Sequence, residues 1–137
     1  KVNYLSGKLA ESQLATAFRS KKRFALSEFF SNVSDNTVLN IVEVKERIQF
    51  QRQDGKVMEV DIAAISDCGR IVLVEVKKTK AKTAAKIIDD FQEKVEIYQD
   101  LNSNNVIISA FLSLGGFTDE AIGKCKMLGI AIVLMFI

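Results

Sequence analysis

The chain has 137 residues, a formal net charge of +2 and a hydrophobic fraction of 48%, a combination typical of one folded domain rather than a disordered chain. It has no histidine and only two cysteines, which are not in CxxC spacing. Histidine-based triads, the usual zinc sites and disulfide scaffolds are therefore excluded. Any catalysis must use carboxylates, lysine, hydroxyl groups or a hard metal ion.

The first residues, the apolar C-terminal run and the cysteine content bear on the expected cellular compartment. The first residue is Lys1, and no basic segment followed by an apolar one comes after it, so we predict no secretory signal. The apolar run over residues 128–137 is too short to span a membrane and predicts a buried strand. With few cysteines, these features favour a reducing, cytoplasmic setting. We expect residues 1–137 to form a single domain that is a fragment of a longer protein.

The first predicted element is a helix over residues 4–20, because apolar residues recur there at helical spacing. The residues of that stripe are Leu5, Leu9, Leu14 and Phe18. Three phenylalanines within residues 24–30 then indicate a short second helix or a packed loop. Residues 31–37 are rich in turn formers and predict a turn.

Three strands are predicted next, over residues 38–53, 57–66 and 71–77. In the first strand apolar and polar residues alternate, which predicts one buried face and one solvated face. Its expected buried residues are Val42, Val44, Ile48 and Phe50. Asp54-Gly55 is a hairpin signal between the first two strands. The third strand is apolar on both faces at its start, which predicts a central position in the sheet.

The second half of the chain alternates helix and strand. A helix is predicted over residues 83–101, a strand over 106–112, a helix over 118–128 and a last strand over 130–136. The helix between the third and fourth strands permits a parallel crossover. The whole order predicts an α/β fold in which helices flank a mixed sheet.

The segment that carries the predicted chemistry is Asp61, followed after thirteen residues by Glu75-Val76-Lys77. Period two places Glu75 and Lys77 on one face of their strand. A plain two-residue turn before that strand would place Asp61 on the face of Val76 instead. We therefore predict a three-residue loop with Gly69 in the left-handed region, or a bulge in one strand, so that Asp61 shares the face of Glu75.

With that register, two carboxylates and a lysine converge. Two carboxylates so close repel each other unless a cation lies between them. Carboxylate oxygens and a backbone carbonyl, from Ile62 or Val76, are the hard ligands that suit Mg²⁺ or Mn²⁺. Lys77 could then orient or deprotonate an attacking water, or stabilise charge on a phosphoryl group. The same spacing also fits a solvated strand edge, on which Glu75 and Lys77 pair with Asp61 and hold no metal.

These residues resemble the signature of the PD-(D/E)XK nuclease superfamily, which has the restriction-endonuclease-like fold. The match is Asp61, Glu75, Val76 and Lys77, with Val60 in place of the proline of the name. The resemblance covers most of the chain, because the α-β-β-β-α-β order is also the family's core, here with an extra C-terminal helix and strand. It implies that Asp61 and Glu75 hold Mg²⁺ and that Lys77 acts on the water.

The resemblance also implies two further site residues. Many members add an acidic residue from the first helix, and Glu11 is the acid in the predicted one. Many place a glutamine or lysine on the helix after the third strand, and Gln92 is the candidate there.

Basic residues adjoin the motif and could contact nucleic-acid phosphates. The run that begins in the motif continues at Lys78, Lys80, Lys82 and Lys86. A second polar set on the first long strand comprises Lys45, Arg47, Gln49 and Gln51. The alternative for both sets is an ordinary solvated surface.

The resulting hypothesis is a Mg²⁺-dependent endonuclease that hydrolyses phosphodiester bonds in nucleic acid, with DNA the commoner substrate of the family and RNA the other. The alternatives are a catalytically inactive nuclease-fold domain that binds nucleic acid, and an interaction module of a larger protein. A homodimer would allow one small domain to cut both strands of a duplex. No membrane partner is expected.

Overall fold

The computed structural model describes residues 7–133, and its elements follow the predicted order. In chain order they are helix α1 (Gly7–Lys21), strands β1 (Arg23–Phe24), β2 (Phe30–Ser31), β3 (Leu39–Gln51), β4 (Val57–Ser66) and β5 (Arg70–Lys77), helix α2 (Ala85–Leu101), strand β6 (Val106–Ser113), helix α3 (Asp119–Leu128) and strand β7 (Ala131–Val133). The predicted helix residues 4–6 and strand residues 134–136 lie outside the described part.

The strands form one mixed sheet in the order β1-β3-β4-β5-β6-β7-β2. Strands β3, β4 and β5 make an antiparallel meander, whereas β5 pairs with β6, and β6 with β7, in parallel. Helix α2 provides the crossover from β5 to β6. The predicted α/β fold, with its α-β-β-β-α-β order, its mixed sheet flanked by helices and its added helix and strand, is confirmed.

Each face of the sheet covers its own apolar core. On one face, Leu14 and Phe18 of α1 pack against residues such as Ile62 and Val74. On the other face, Ile88 and Phe91 of α2 pack with α3 against the opposite side chains of the same strands. The central strands are therefore buried on both sides, as their apolar character predicts.

The structure corrects the predicted burial of one residue in α1 and one in β3. Leu9 is 47% exposed, and the buried stripe of α1 includes Ala10 instead. Val42 is 59% exposed, because a register shift between Ile41 and Glu43 turns it out of the core. The segment from 24 to 30 is a packed loop with two very short strands and a single 3-10 turn, not a second helix.

A second irregularity in β3 bends the β3–β4 hairpin across the sheet. Arg47 has a φ of 55°, in the left-handed region, and the pairs Glu46–Ile62 and Ile48–Val60 flank it. Beyond this point Ile48 and Val60 pack on the α2 side, whereas Ile62 packs on the α1 side. The residue of β4 at this crossing, between the two flanking pairs, is Asp61.

The loop between β4 and β5 has three residues, and its last residue, Gly69, has a φ of 84°. The pairs Ile65–Ile71 and Ile62–Val74 give the register that directs Asp61 toward Glu75. The predicted loop length, the left-handed glycine and the shared position of the two acids are confirmed.

Candidate active site

Asp61 lies where β4 and β5 separate. Regular pairing between the two strands ends at Ile62–Val74. Next along β5, the backbone N–H of Val76 donates to Asp61 Oδ2 at 2.7 Å. The carboxylate thus replaces a backbone acceptor, and the fork of the two strands holds it in place. Asp61 is 9% exposed, so the carboxylate is largely withdrawn from solvent.

Glu75 reaches the same fork from β5. Lys94 of α2 donates to Glu75 Oε2 at 2.7 Å and to the backbone oxygen of Glu59 at 2.8 Å. The side chains of Glu75 and Lys94 are 18% and 24% exposed. A lysine from the helix therefore bridges the two strands and partly neutralises the buried acid.

Both acids of the fork have a raised pKa, so each binds a proton more tightly than an exposed carboxyl group does. Burial raises the pKa of Asp61, while the Val76 N–H lowers it and the charge of Glu11 raises it again. Burial raises the pKa of Glu75 to about 7, against the lowering effect of Lys94. The interaction between the two side chains lowers the pKa of Asp61 and raises that of Glu75, so it favours the proton on Glu75. A pair of acids held this close has an excess of negative charge that a cation would relieve.

A cleft of about 700 Å³ opens over the fork, between the start of β4 and helix α2. Its walls include both acids and several cations. The charged residues that line it are Lys56, Glu59, Asp61, Glu75, Lys77, Lys78, Lys86, Asp90, Glu93 and Lys94. Lys77 lines this cleft, and its ammonium forms no hydrogen bond or ion pair with the described residues.

Glu11 lies beneath the fork, on the α1 side. It is 2% exposed, and its Oε1 atom accepts no hydrogen bond within the described part of the chain. Lys78 Nζ is 2.9 Å from Oε1, without hydrogen-bond geometry, and Arg47 Nε is 3.6 Å from Oε2. The predicted acid of α1 is thus close enough to act on Asp61 electrostatically, although it does not line the cleft.

The remaining predicted residues are less closely associated with the fork. Gln92 donates to Glu96 along its own helix and does not line the cleft. Lys86 lines the cleft and lies 3.5 Å from Asp90. Lys80 and Lys82 are exposed on the loop after β5 and are not part of the cleft wall.

One residue of the site, Lys94, is absent from the sequence prediction. Lys94 lies three residues after Phe91 and one before Val95, both buried, so its helical phase places it near the sheet. That signal was available, and it favours Lys94 over Gln92. The sequence predicts Arg47 only as one of four polar residues on a face that either contacts nucleic acid or is solvated, because nothing in the sequence marks its left-handed backbone.

The donors at the fork suit a hard divalent cation. Asp61 and Glu75 supply carboxylate oxygens, and the Val76 carbonyl belongs to the residue whose N–H binds Asp61. Among residues 7–133, no group of three or more acidic, histidine or cysteine side chains is close enough together to hold an ion. A metal would therefore rest on two side chains, the backbone and water, which fits Mg²⁺.

No protein-family model matches the chain, and no curated protein sequence matches it. Several solved structures share its fold. Can2 from Sulfobacillus thermosulfidooxidans in complex with cyclic tetra-adenylate has a TM-score of 0.59 and 16% identity over 92% of this chain and 32% of its own. AF1548, a protein of unknown function, has a TM-score of 0.53 and 16% identity, over 89% of this chain and 56% of its own. VC1899 from Vibrio cholerae has a TM-score of 0.51 and 16% identity, over 93% of this chain and 46% of its own.

The likeness is one of fold. This chain spans between about a third and just over half of the length of these proteins. None of the helices among residues 7–133 has the length and apolar character needed to cross a lipid bilayer.

Proposed function

We propose that this domain is a metal-dependent endonuclease that hydrolyses phosphodiester bonds in nucleic acid, with DNA as the first substrate to test. The observation that carries the proposal is the meeting of Asp61 and Glu75 at the fork of β4 and β5. Two mutually repelling acids are held there beside the ammonium-bearing Lys77, at the floor of an open cleft. A stable fold has no need of this arrangement, since burying paired acids costs free energy.

In this proposal Asp61, Glu75 and the Val76 carbonyl hold Mg²⁺ or Mn²⁺. When bound, the ion supplies an acidified water and offsets negative charge on the phosphate. The Val76 N–H fixes one oxygen of Asp61, leaving the other available as a ligand. Lys94 orients Glu75 from the helix. Lys77 forms no hydrogen bond or ion pair with the described residues, and in this proposal it orients the water or donates to a phosphoryl oxygen.

One fold neighbour and the lysines of the cleft support the choice of a phosphodiester ligand. Can2 is bound to cyclic tetra-adenylate, which is a phosphodiester ligand. In this chain, five lysines and five acids line the cleft, and the lysines are at positions 56, 77, 78, 86 and 94. Lys77 and Lys78 follow Glu75 directly in the chain, so they can meet a phosphate that approaches the two acids of the fork.

The test is cleavage of supercoiled plasmid, single-stranded DNA and RNA with Mg²⁺ or Mn²⁺. We expect nicking or linearisation that EDTA abolishes and that Asp61→Asn reduces by at least about a hundredfold. Asp67→Asn is the matched control, since Asp67 is an exposed acid in the β4–β5 loop that bonds Asn40 away from the cleft. Full cleavage by Asp61→Asn would refute the assignment.

The second candidate is a domain that binds nucleic acid without cutting it. The observation in its favour is the Lys94–Glu75 ion pair, which neutralises the acid without any metal. Salt-dependent binding with no cleavage under any divalent cation would support this candidate. No binding and no cleavage would support an interaction module instead.

A further inference from the structure

Arg47 adopts a backbone conformation that suits glycine better than arginine. Its φ of 55° lies in the left-handed region, within a strand and opposite the Asp61 crossing. A non-glycine residue held there is strained, and glycine would adopt the same conformation without strain. An arginine at this position therefore points to a use for its guanidinium group.

The guanidinium lies next to Lys78, on the α1 side of the fork, and the two cations share one acid. Glu11 is the carboxylate that both approach, at 3.6 Å from Arg47 Nε and 2.9 Å from Lys78 Nζ. Glu11 is buried, whereas the side chains of Arg47 and Lys78 are 54% and 39% exposed. A single buried acid thus forms ion pairs with two cations whose side chains stay partly exposed.

Asp61 acts on the charge of Lys78 without forming an ion pair with it, and the other neighbouring acids have partners of their own. Glu46, next to Arg47 in sequence, pairs with Arg19 at 3.1 Å. Glu75 pairs with Lys94 across the fork. Within residues 9–133, Glu11 is the carboxylate in ion-pair contact with Arg47 and Lys78. Their remaining donors are open to an anion from solvent, and a guanidinium beside an ammonium is a common way to hold a phosphate.

We infer that Arg47 and Lys78 form a phosphate-binding pair, positioned by Glu11, for a phosphate of the nucleic-acid backbone next to the one at the Asp61–Glu75 fork. Lys78 connects the two places, because it lines the cleft while its ammonium reaches Glu11. The identity of the ligand rests on the proposed function. The pair binds the substrate, and no bond is made or broken there.

The experiment measures binding of a fluorescein-labelled single-stranded DNA oligonucleotide in EDTA, by anisotropy over a range of salt concentrations. Arg47→Gly removes the guanidinium and the strain together. We expect about a fivefold loss of affinity near 0.1 M salt and a salt slope smaller by about 0.7, the effect of one lost phosphate contact. Its melting temperature should be unchanged or higher.

Lys22→Gly is the matched control. Lys22 has a φ of 66° and is exposed at the end of α1, so the substitution also removes one positive charge and one left-handed side chain. It should leave the affinity and the salt slope near those of the wild type. Lys78→Ala tests the pair without altering the strained backbone, and we expect a loss similar to that of Arg47→Gly.

The outcomes separate this inference from the proposed function. Wild-type affinity in both Arg47→Gly and Lys78→Ala would overturn the phosphate-binding pair, and plasmid cleavage would still stand or fall with Asp61. An equal loss of DNA affinity in Lys22→Gly would show that the effect comes from net charge alone, and it would also overturn the phosphate-binding pair. Absence of DNA binding by the wild type would overturn the pair together with the proposed function.

Discussion

Glu75 is a buried carboxyl group whose neighbours act on its charge in opposite directions. Burial and Asp61 favour the protonated form, and Lys94 favours the charged form. Burial prevails, so the pKa lies near 7 rather than at the ordinary 4.5. The folded chain therefore holds this proton more tightly than the unfolded chain does. Its contribution to stability is complete below about pH 4.5 and is lost as the pH rises through 7.

The prediction at this scale concerns stability against pH without divalent cations. Between about pH 5 and pH 8 the free energy of unfolding of the wild type should fall by an amount on the order of 2 kcal/mol from the acid pair. Glu75→Gln should remove much of that fall, because it has no proton to lose. Urea unfolding at both pH values measures it. Glu59→Gln, at an exposed acid on the neighbouring strand β4, should keep the wild-type slope. A Glu75→Gln slope as steep as that of the wild type would contradict the prediction.

The choice between Gln92 and Lys94 shows what a sequence can specify for single residues. Placing the motif on β5 requires only the two-residue period of a strand, which puts Glu75 and Lys77 on the same face. The helix residue required an angular position around α2, where a change of two residues is a rotation of about 200°. The buried positions Phe91 and Val95 fix that angle, and Lys94 lies beside them whereas Gln92 faces Glu96.

Among the elements, the β4–β5 loop was predictable and the path of β3 was not. The need for Asp61 to share the face of Glu75 dictated an odd loop length, and Gly69 supplied the residue for it. In β3, the register shift after Ile41 and the left-handed Arg47 occur at residues with ordinary strand propensity. Their cause is tertiary, since the hairpin must bend to pack on both α1 and α2. Local pattern therefore predicted Val42 to be buried, and it is exposed.

A prediction at the level of elements concerns the loop that follows β5. Gly115 lies against this loop, and a Cβ at that position would overlap the backbone oxygens of Lys80 and Ala81. Gly115→Ala should force the loop outward and cost about 1–3 kcal/mol of stability. The shift would also move Lys78, so DNA binding should weaken. Urea unfolding and anisotropy measure both effects.

The control for this glycine is Gly123→Ala. Gly123 lies within α3, and a Cβ there would meet no heavy atom within 4 Å. An added methyl group should stabilise the helix by up to about 1 kcal/mol and leave DNA binding unchanged. If Gly115→Ala behaved in the same way as Gly123→Ala, the close packing of the loop against Gly115 would be wrong.

Over the whole molecule, the site coincides with the place where the hairpin changes from one core to the other. Ile62 belongs to the core under α1 and Val60 to the core under α2, and Asp61 lies between them. The side chain at such a crossing faces neither core fully, so it can be polar while the backbone on both sides of it is anchored. The net charge of +2 is small, and the cations that matter are concentrated at this crossing and its cleft.

The last prediction follows from that position: a divalent cation at the fork should stabilise the entire domain. An ion that binds only the folded chain raises the free energy of unfolding by about 2.7 kcal/mol when present at a hundred times its dissociation constant. We expect Mn²⁺ or Mg²⁺ to raise the melting temperature at about pH 8, where the acids are largely ionised, and Asp61→Asn to abolish the rise. Asp67→Asn, in the adjacent loop, should retain it. Equal stabilisation of the wild type and Asp61→Asn would mean that the ion binds elsewhere, and no stabilisation at any concentration would favour the metal-free ion pair of Glu75 with Lys94.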